Sequence, residues 1–363
     1  PMPMVFSLLA ILLLSVAGWV LSRSTALGRQ LGMTMVVLLL GLLVTNLSGW
    51  SPDPAATAWV SGPLTSLAIA QLLLAVRLRG LWPDARKLLA PFAAAVVSTV
   101  LAVLLGAWLL RPWLGEQGPV LAGLYTATFT GGSLNFVSVA RSLQPPEALL
   151  LLATAADHVV FAVWFALSLL MGRRAGEAVV SPAGADAPSS DEPPSPVLQA
   201  WGLLWGLGVL GLAQLLGQWL SAVPSILLLT TVAIVAAQLP GQASRRACYG
   251  SGLLLIQPFF VVIGLSSPVT GLLAEGLPVL TFAALIVALQ AVTLLLLRRW
   301  KRWSFGSTLV ASQAAIGGPS TALALATGLG RSDLALPSVA IGLFGYLLGT
   351  YLGLIAAVVV GGA

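Results

Sequence analysis

The sequence predicts an all-α polytopic membrane protein of two inverted repeats, each with about five crossings and one broken or re-entrant element carrying a pair of glycines. Three observations predict it. Of the 363 residues, 58% are hydrophobic and 8% charged, and the mean hydropathy is +1.00; a soluble domain could not cover that much apolar surface with polar side chains. The apolar residues fall into a dense series of runs, each near the roughly 20 residues that a helix needs to cross the hydrocarbon core. The stretches "TATFTGGSLNFVSVAR" (126–141) and "ASQAAIGGPSTALALATG" (311–328) hold matching places in the two halves of the chain.

In the first half the runs cover 4–21, 31–49, 58–76, 88–110, 118–142 and 148–171; in the second they cover 198–219, 223–239, 250–273, 278–298, 306–328 and 334–360. The run Val5 to Leu21 has the length of a signal peptide but no charged leader and no small-residue cleavage site before Arg23, so it reads as a spanning helix. Between the halves lies "GRRAGEAVVSPAGADAPSSDEPPSP" (172–196), rich in Pro, Ser, Ala and acids. Such a segment cannot bury a core and reads as a disordered linker. It separates a first repeat, 1–171, from a second, 197–363. Aligned without a gap, Gly131 and Gly132 match Gly317 and Gly318, Asn135 matches Thr321, and Glu147 matches Asp333. Internal duplication of this kind is the signature of a secondary transporter.

Charge sets the orientation. The net charge is +6, yet the basic residues sit in short clusters between apolar runs, as membrane topology requires, so no nucleic-acid partner is implied. If every segment crossed fully, the cluster Arg298 to Arg302 would lie opposite the cluster Arg77 to Lys87. If the two double-glycine segments dip in and return, all basic clusters become cytoplasmic: Arg23 with Arg29, Arg77 with Arg79 and Lys87, Arg173 with Arg174, Arg245 with Arg246, and Arg298 to Arg302. Asp53, Glu275 and both termini then lie outside. The single cysteine, Cys248, excludes an intramolecular disulfide and reads as a small residue near a cytosolic loop.

Backbone that leaves the helix inside a bilayer is tolerated only where protein buries it or a wet cavity lines it. A break at the glycines therefore implies a cavity. The half-helices starting near Ser133 and Pro319 would aim free N–H groups and a positive dipole end into it, which suits an anion; Ser133 suits a cap and Pro319 a first helical position. The half-helices ending near Thr130 and Ile316 leave carbonyls free. With the hydroxyls of Thr128, Thr130 and Thr321 and the amide oxygens of Asn135 and Gln313, these carbonyls supply hard oxygen ligands fit for Na+. Each Ser or Thr equally suits a structural bond within or between helices. Gln257, Gln290 and Asn46, away from the breaks, read as interhelical hydrogen-bonding groups.

Asp157 and His158, in "ATAADHVVFAVW", lie about ten positions into the run after the first break, which places them near mid-membrane. Thr154 shares their face. An ionisable residue at that depth is a functional candidate. Asp157 can ligate or balance Na+, the pair can titrate as a proton carrier, or the two can make a structural contact that locks this helix to the break. The matching helix of the second half, "SVAIGLFGYLLGTYLG" (338–353), has no acid, and its glycines suit close helix packing.

The signatures "TGGSLNFVSVAR" and "AAIGGPSTALALA" resemble those of the YjcL-like membrane proteins, a family long carried as a domain of unknown function. That family is similar in architecture to the sodium–bile acid, sodium–glutamate and sodium–citrate symporters and the sodium–proton antiporters. The resemblance implies an inverted-repeat fold with a core domain holding the broken elements and a scaffold domain that dimerises, working by an elevator movement in the bacterial inner membrane. It places Gly131, Gly132, Asn135, Gly317, Gly318, Ser320 and Thr321 at the substrate and ion site; the residues themselves add Ser133 to the substrate set and offer Thr128, Thr130, Asn135, Asp157, Gln313 and Thr321 as Na+ ligands. The histidine in the glutamate symporters' glycine-rich motifs is absent, which counts against glutamate as substrate.

Na+-coupled symport of a small organic anion or amino acid is the leading expectation; the alternative is a cation/proton antiporter using Asp157 and His158. No enzyme is expected. One histidine cannot build a metal cluster, and neither a serine–lysine pair nor paired aspartates stand at membrane depth. Na+ apart, no cofactor is expected.

Overall fold

The computed structural model describes residues 2–31, 33–74, 81–176, 195–221, 225–239 and 242–362. The described residues are helical, with no strand among them. The first half comprises α1 (Met2–Ser24), α2 (Ala26–Leu31), α3 (Met33–Ser48), α4 (Pro54–Trp59), α5 (Thr65–Leu74), α6 (Leu81–Leu109), α7 (Arg111–Leu114), α8 (Gly118–Gly131), α9 (Ser133–Leu143) and α10 (Glu147–Arg174). The second comprises α11 (Pro196–Trp219), α12 (Ser225–Ala236), α13 (Gln242–Leu255), α14 (Gln257–Leu265), α15 (Val269–Glu275), α16 (Leu277–Lys301), α17 (Phe305–Gly317), α18 (Pro319–Gly328) and α19 (Ala335–Gly361). Prolines open α4, α8, α11, α16 and α18, where the fixed φ suits a helix start and the missing N–H costs nothing.

Among the described residues, seven helices are long and apolar enough to cross a membrane, α4 and α5 counting as one continuous span and α13 and α14 as another. The chain is an integral membrane protein. Two expected runs, 118–142 and 306–328, are each divided at a glycine into a pair of helices. The run 250–273 predicts one crossing; α13 and α14 supply a candidate span over Ala247–Leu265, and its last part is a separate short helix, α15. Pro258 lies at the start of α14 and Pro268 caps α15, and a proline ends a helix by removing a donor and clashing with the preceding turn. Most of the expected linker, 177–194, lies outside the described residues, as do Arg77 and Arg79. Outside them too are the side chains of Arg29, Ser133, Glu147, Arg245 and Arg246.

Two compact units divide the chain, and each draws on both halves of the sequence. The first lies within Pro1–Leu43, Trp50–Leu81 and Val180–Leu265. Glycines let its helices approach closely. Gly41 of α3 faces the backbone of α14, where an added Cβ would sit 3.2 Å from Gly264 Cα. Gln71 of α5 donates to Gly202 O of α11 (2.8 Å), and Cys248 is fully buried in α13 against the same carbonyl.

The second unit lies within Val44–Gly49, Trp82–Val179 and Ser266–Ala363. Asn46, at the end of α3, donates to Ser267 O (3.0 Å) and accepts from Val269 N–H (2.7 Å) at the start of α15. It is the interhelical group that the sequence suggests.

Both glycine pairs make helical hairpins. An added Cβ on Gly123 of α8 would sit 2.9 Å from Leu143 at the far end of α9, so these two helices fold back on one another from Gly132. Helix α10 measures both hairpins. Tyr125 of α8 donates to Ala153 O (3.2 Å), and one turn on Thr128 donates to Asp157 (3.2 Å). One turn further, Phe161 lies 2.6 Å from the Cβ position of Gly317. Beyond it Trp164 reaches Ser312 (3.0 Å), Gln313 reaches Ser168 (3.4 Å), and Arg173 reaches Gly328 O (3.4 Å). Helices α17 and α18 thus both run from their glycines toward the C-terminal end of α10, while α8 and α9 run toward its N-terminal end. The hairpins extend from opposite ends of α10 and meet at their tips.

Helix α19 supplies the opposite wall. Cβ atoms added at Gly345, Gly349 and Gly353 would sit 2.7 Å from Thr130 O, 2.9 Å from Ala127 O and 2.7 Å from Gly123 O. The glycine spacing in this helix serves close packing on α8, as its sequence predicts.

Candidate functional site

The tips meet because glycines occupy them. Gly132 has φ 80° and Gly318 φ 80°, a region that L side chains rarely adopt. A Cβ on Gly132 would stand 3.2 Å from the carbonyl carbon and oxygen of Gly317 and the nitrogen of Gly318. Four half-helix ends converge at this contact: the C-termini of α8 and α17 and the N-termini of α9 and α18. Gly132 and Gly318 are the N-cap residues, neither with a side-chain cap. The cap therefore falls on Gly132, one residue before Ser133, while Pro319 does take the first position of α18.

Around the tips the expected site residues have distinct surroundings. Thr128, Thr130, Asn135, Thr321, Gln313 and Asp157 are buried, and Ser320 is half-buried. Thr130 donates to Thr126 O (2.6 Å) and Thr321 to Gly318 O (3.2 Å), both within their own hairpins. Asn135 is fully engaged with α19. Its Oδ1 accepts from the Thr350 amide (3.1 Å) and hydroxyl (2.7 Å), and its Nδ2 donates to Gly345 O (3.3 Å). Gln313 differs, for its Oε1 is a buried acceptor without a hydrogen-bond partner, as is Thr126 Oγ1. Such atoms are uncommon, because a buried polar group left unpaired is costly.

Asp157 and His158, adjacent in sequence, face apart. A step of one residue turns a helix by about 100°. Asp157 accepts from Thr128 beside the break, whereas half-buried His158 sets Nδ1 against Thr154 O (2.9 Å) in its own helix. Thr154 itself donates to Leu150 O (2.7 Å). Among the described residues no group of three or more His, Cys, Asp or Glu side chains could hold a metal ion.

One basic residue from each of three clusters stands at the base of the second hairpin. Lys87 lies 3.8 Å from Asp333, just beyond α18; Arg173 reaches Gly328 O; and the Arg298 guanidinium lies 4.5 Å from the centroid of the Phe305 ring. Arg331 grips Asp333 with two bonds of 2.8 Å.

Sequence reasoning overlooked Thr350, Thr99, Ser168, Ser312 and Trp164. Each is an ordinary membrane-helix residue whose importance lies in a distant partner. Gln290, read as an interhelical group, does bridge helices, donating to Thr99 (2.8 Å) and accepting from Ser312 (2.6 Å).

An all-α integral membrane protein whose two glycine-tipped hairpins meet inside one compact unit is the class that fold and site define. The chain belongs to a family described as protein of unknown function (DUF819), which it matches over residues 9–362. It is similar to the uncharacterized membrane protein YjcL of Bacillus subtilis (strain 168), with 26% identity over 318 residues that span 79% of each chain.

Proposed function

We propose that the protein is a secondary active transporter that couples Na+ to the movement of a small organic anion or amino acid by elevator-type alternating access. The convergence of four half-helix ends at the Gly132–Gly317 contact carries this reading. Two free N-termini favour a carboxylate, and two C-termini offer oxygen to Na+, with one unpaired buried acceptor in each hairpin, Thr126 Oγ1 in the first and Gln313 Oε1 in the second. Asp157 balances the cation. Asn135, whose amide is spent on α19, holds the first hairpin in place and acts on ligands through that position.

The repeats 1–171 and 197–363 are inverted, so the hairpins approach from opposite membrane faces. Basic clusters around the second hairpin make its base cytoplasmic. The unit holding both hairpins is the moving core. The other unit is the scaffold, through which two copies dimerise in the bacterial inner membrane.

The test is thermal stability of the detergent-purified protein in NaCl against choline chloride at two pH values. Na+ is expected to raise the melting temperature at both, and Asp157→Asn or Thr128→Val to reduce the gain. A ligand at 100 times its Kd adds about 2.7 kcal/mol, so a panel of carboxylates and amino acids then reveals the substrate class. The Thr128–Asp157 contact beside the break also favours a second reading, cation/proton antiport. Stability that ignores Na+ but follows pH in the wild type and not in Asp157→Asn selects antiport.

A further inference from the structure

Buried polar side chains of the second unit form one continuous line that touches both hairpins. The Trp164 indole N–H donates to Ser312 Oγ (3.0 Å), the Ser312 hydroxyl to Gln290 Oε1 (2.6 Å), and Gln290 Nε2 to Thr99 Oγ1 (2.8 Å). The Thr99 hydroxyl then faces two carbonyls, Ala95 O in its own helix at 2.8 Å and Phe129 O at 3.4 Å. Gln290 and Thr99 have 0% exposed surface and Ser312 1%. The line starts on α10, passes through the outer helix of the second hairpin, crosses α16 and α6, and ends in the last turn of α8.

Every donor in it points the same way. An indole N–H can only donate and a backbone carbonyl can only accept, so neither end can reverse. A chain polarised in one direction strengthens its members, and removing one leaves buried groups unpaired on both sides. Among the described residues the first hairpin has no matching line. At the offset that matches Gly131 to Gly317, Ser312 matches Thr126 and Gln290 matches Leu104, which has no polar group. Thr126 Oγ1 is buried and unpaired.

We propose that Gln290 is a positioning residue that ties the two hairpins together through α16 and α6, so that loosening either tip is felt at the other. This coupling concerns the hairpins alone and stands whatever the protein carries.

Hydrogen exchange measured by mass spectrometry on the ligand-free protein tests it, with peptides covering 126–136 and 310–322. Ser312→Ala alters the second hairpin, yet exchange at the first is expected to rise about tenfold; Thr99→Val, on α6, is expected to raise exchange at both. Thr99→Ser restores the hydroxyl and with it the protection. Gln290→Leu is expected to give the largest rise at both tips, and the near-isosteric Thr99→Val keeps the test decisive if that variant does not fold. Exchange that rises only in the hairpin containing or touching the altered residue would overturn the coupling. Because no ligand is present, that result would leave the transport reading in place, and a failure of Na+ to stabilise the protein would leave the coupling in place.

Discussion

A Gly131→Ala protein is expected to lose about 3 kcal/mol of stability, the upper range for overpacking a close contact. The new Cβ would collide with Asn135 Nδ2 and with the carbonyl of Gly345, whose carbon would lie 2.6 Å away. A side-chain amide can move aside, but the carbonyl belongs to the backbone of α19. Shifting α19 there would also disturb its packing on α8 at Gly349 and Gly353, so the strain has no local outlet. Gly211→Ala in α11 is the control. Nothing lies within 4 Å of the Cβ it would add, and alanine is the better helix former. Thermal melts in one detergent should show a large loss for the first and none for the second.

Asn135→Leu is expected to cost about 3 kcal/mol, because it removes three hydrogen bonds of a buried amide at roughly 1 kcal/mol each. Thr350→Val removes part of the same set from the other side. The double variant should therefore cost less than the two singles together, since neighbours in one network do not add. Melts of the four proteins in the cycle measure the difference. Strict additivity would mean that Asn135 and Thr350 act separately.

The breaks were legible because two glycine pairs stand inside apolar runs at matching places and the second precedes a proline that starts a helix; whether the segments turn back or cross was not, because that depends on contacts distant in sequence. The close packing of α19 was legible in its glycine spacing. The separation of α15 from the span before it was not, since Pro268 sits in a run as apolar as a straight crossing. Nor could sequence give the partners of polar groups. It marks Asn135 as a candidate ligand and Gln290 as an interhelical group, but Thr350 and Thr99, to which they bond, stand 215 and 191 residues away. Asp157 and His158 are neighbours in sequence, and helical geometry turns one toward Thr128 and the other back on its own helix.

In the proposed transporter two hairpins enter from opposite membrane faces and meet at Gly132 and Gly317. Side-specific labelling of single cysteines tests it most directly, in a Cys248→Ala background with cysteine placed at Glu116 or Gln144 flanking the first hairpin, and at Lys301 or Ser332 flanking the second. The account predicts that Glu116→Cys and Gln144→Cys label from one face only, and Lys301→Cys and Ser332→Cys from the other. Flanks of one glycine pair that label from opposite faces would make that segment a crossing helix and contradict the account.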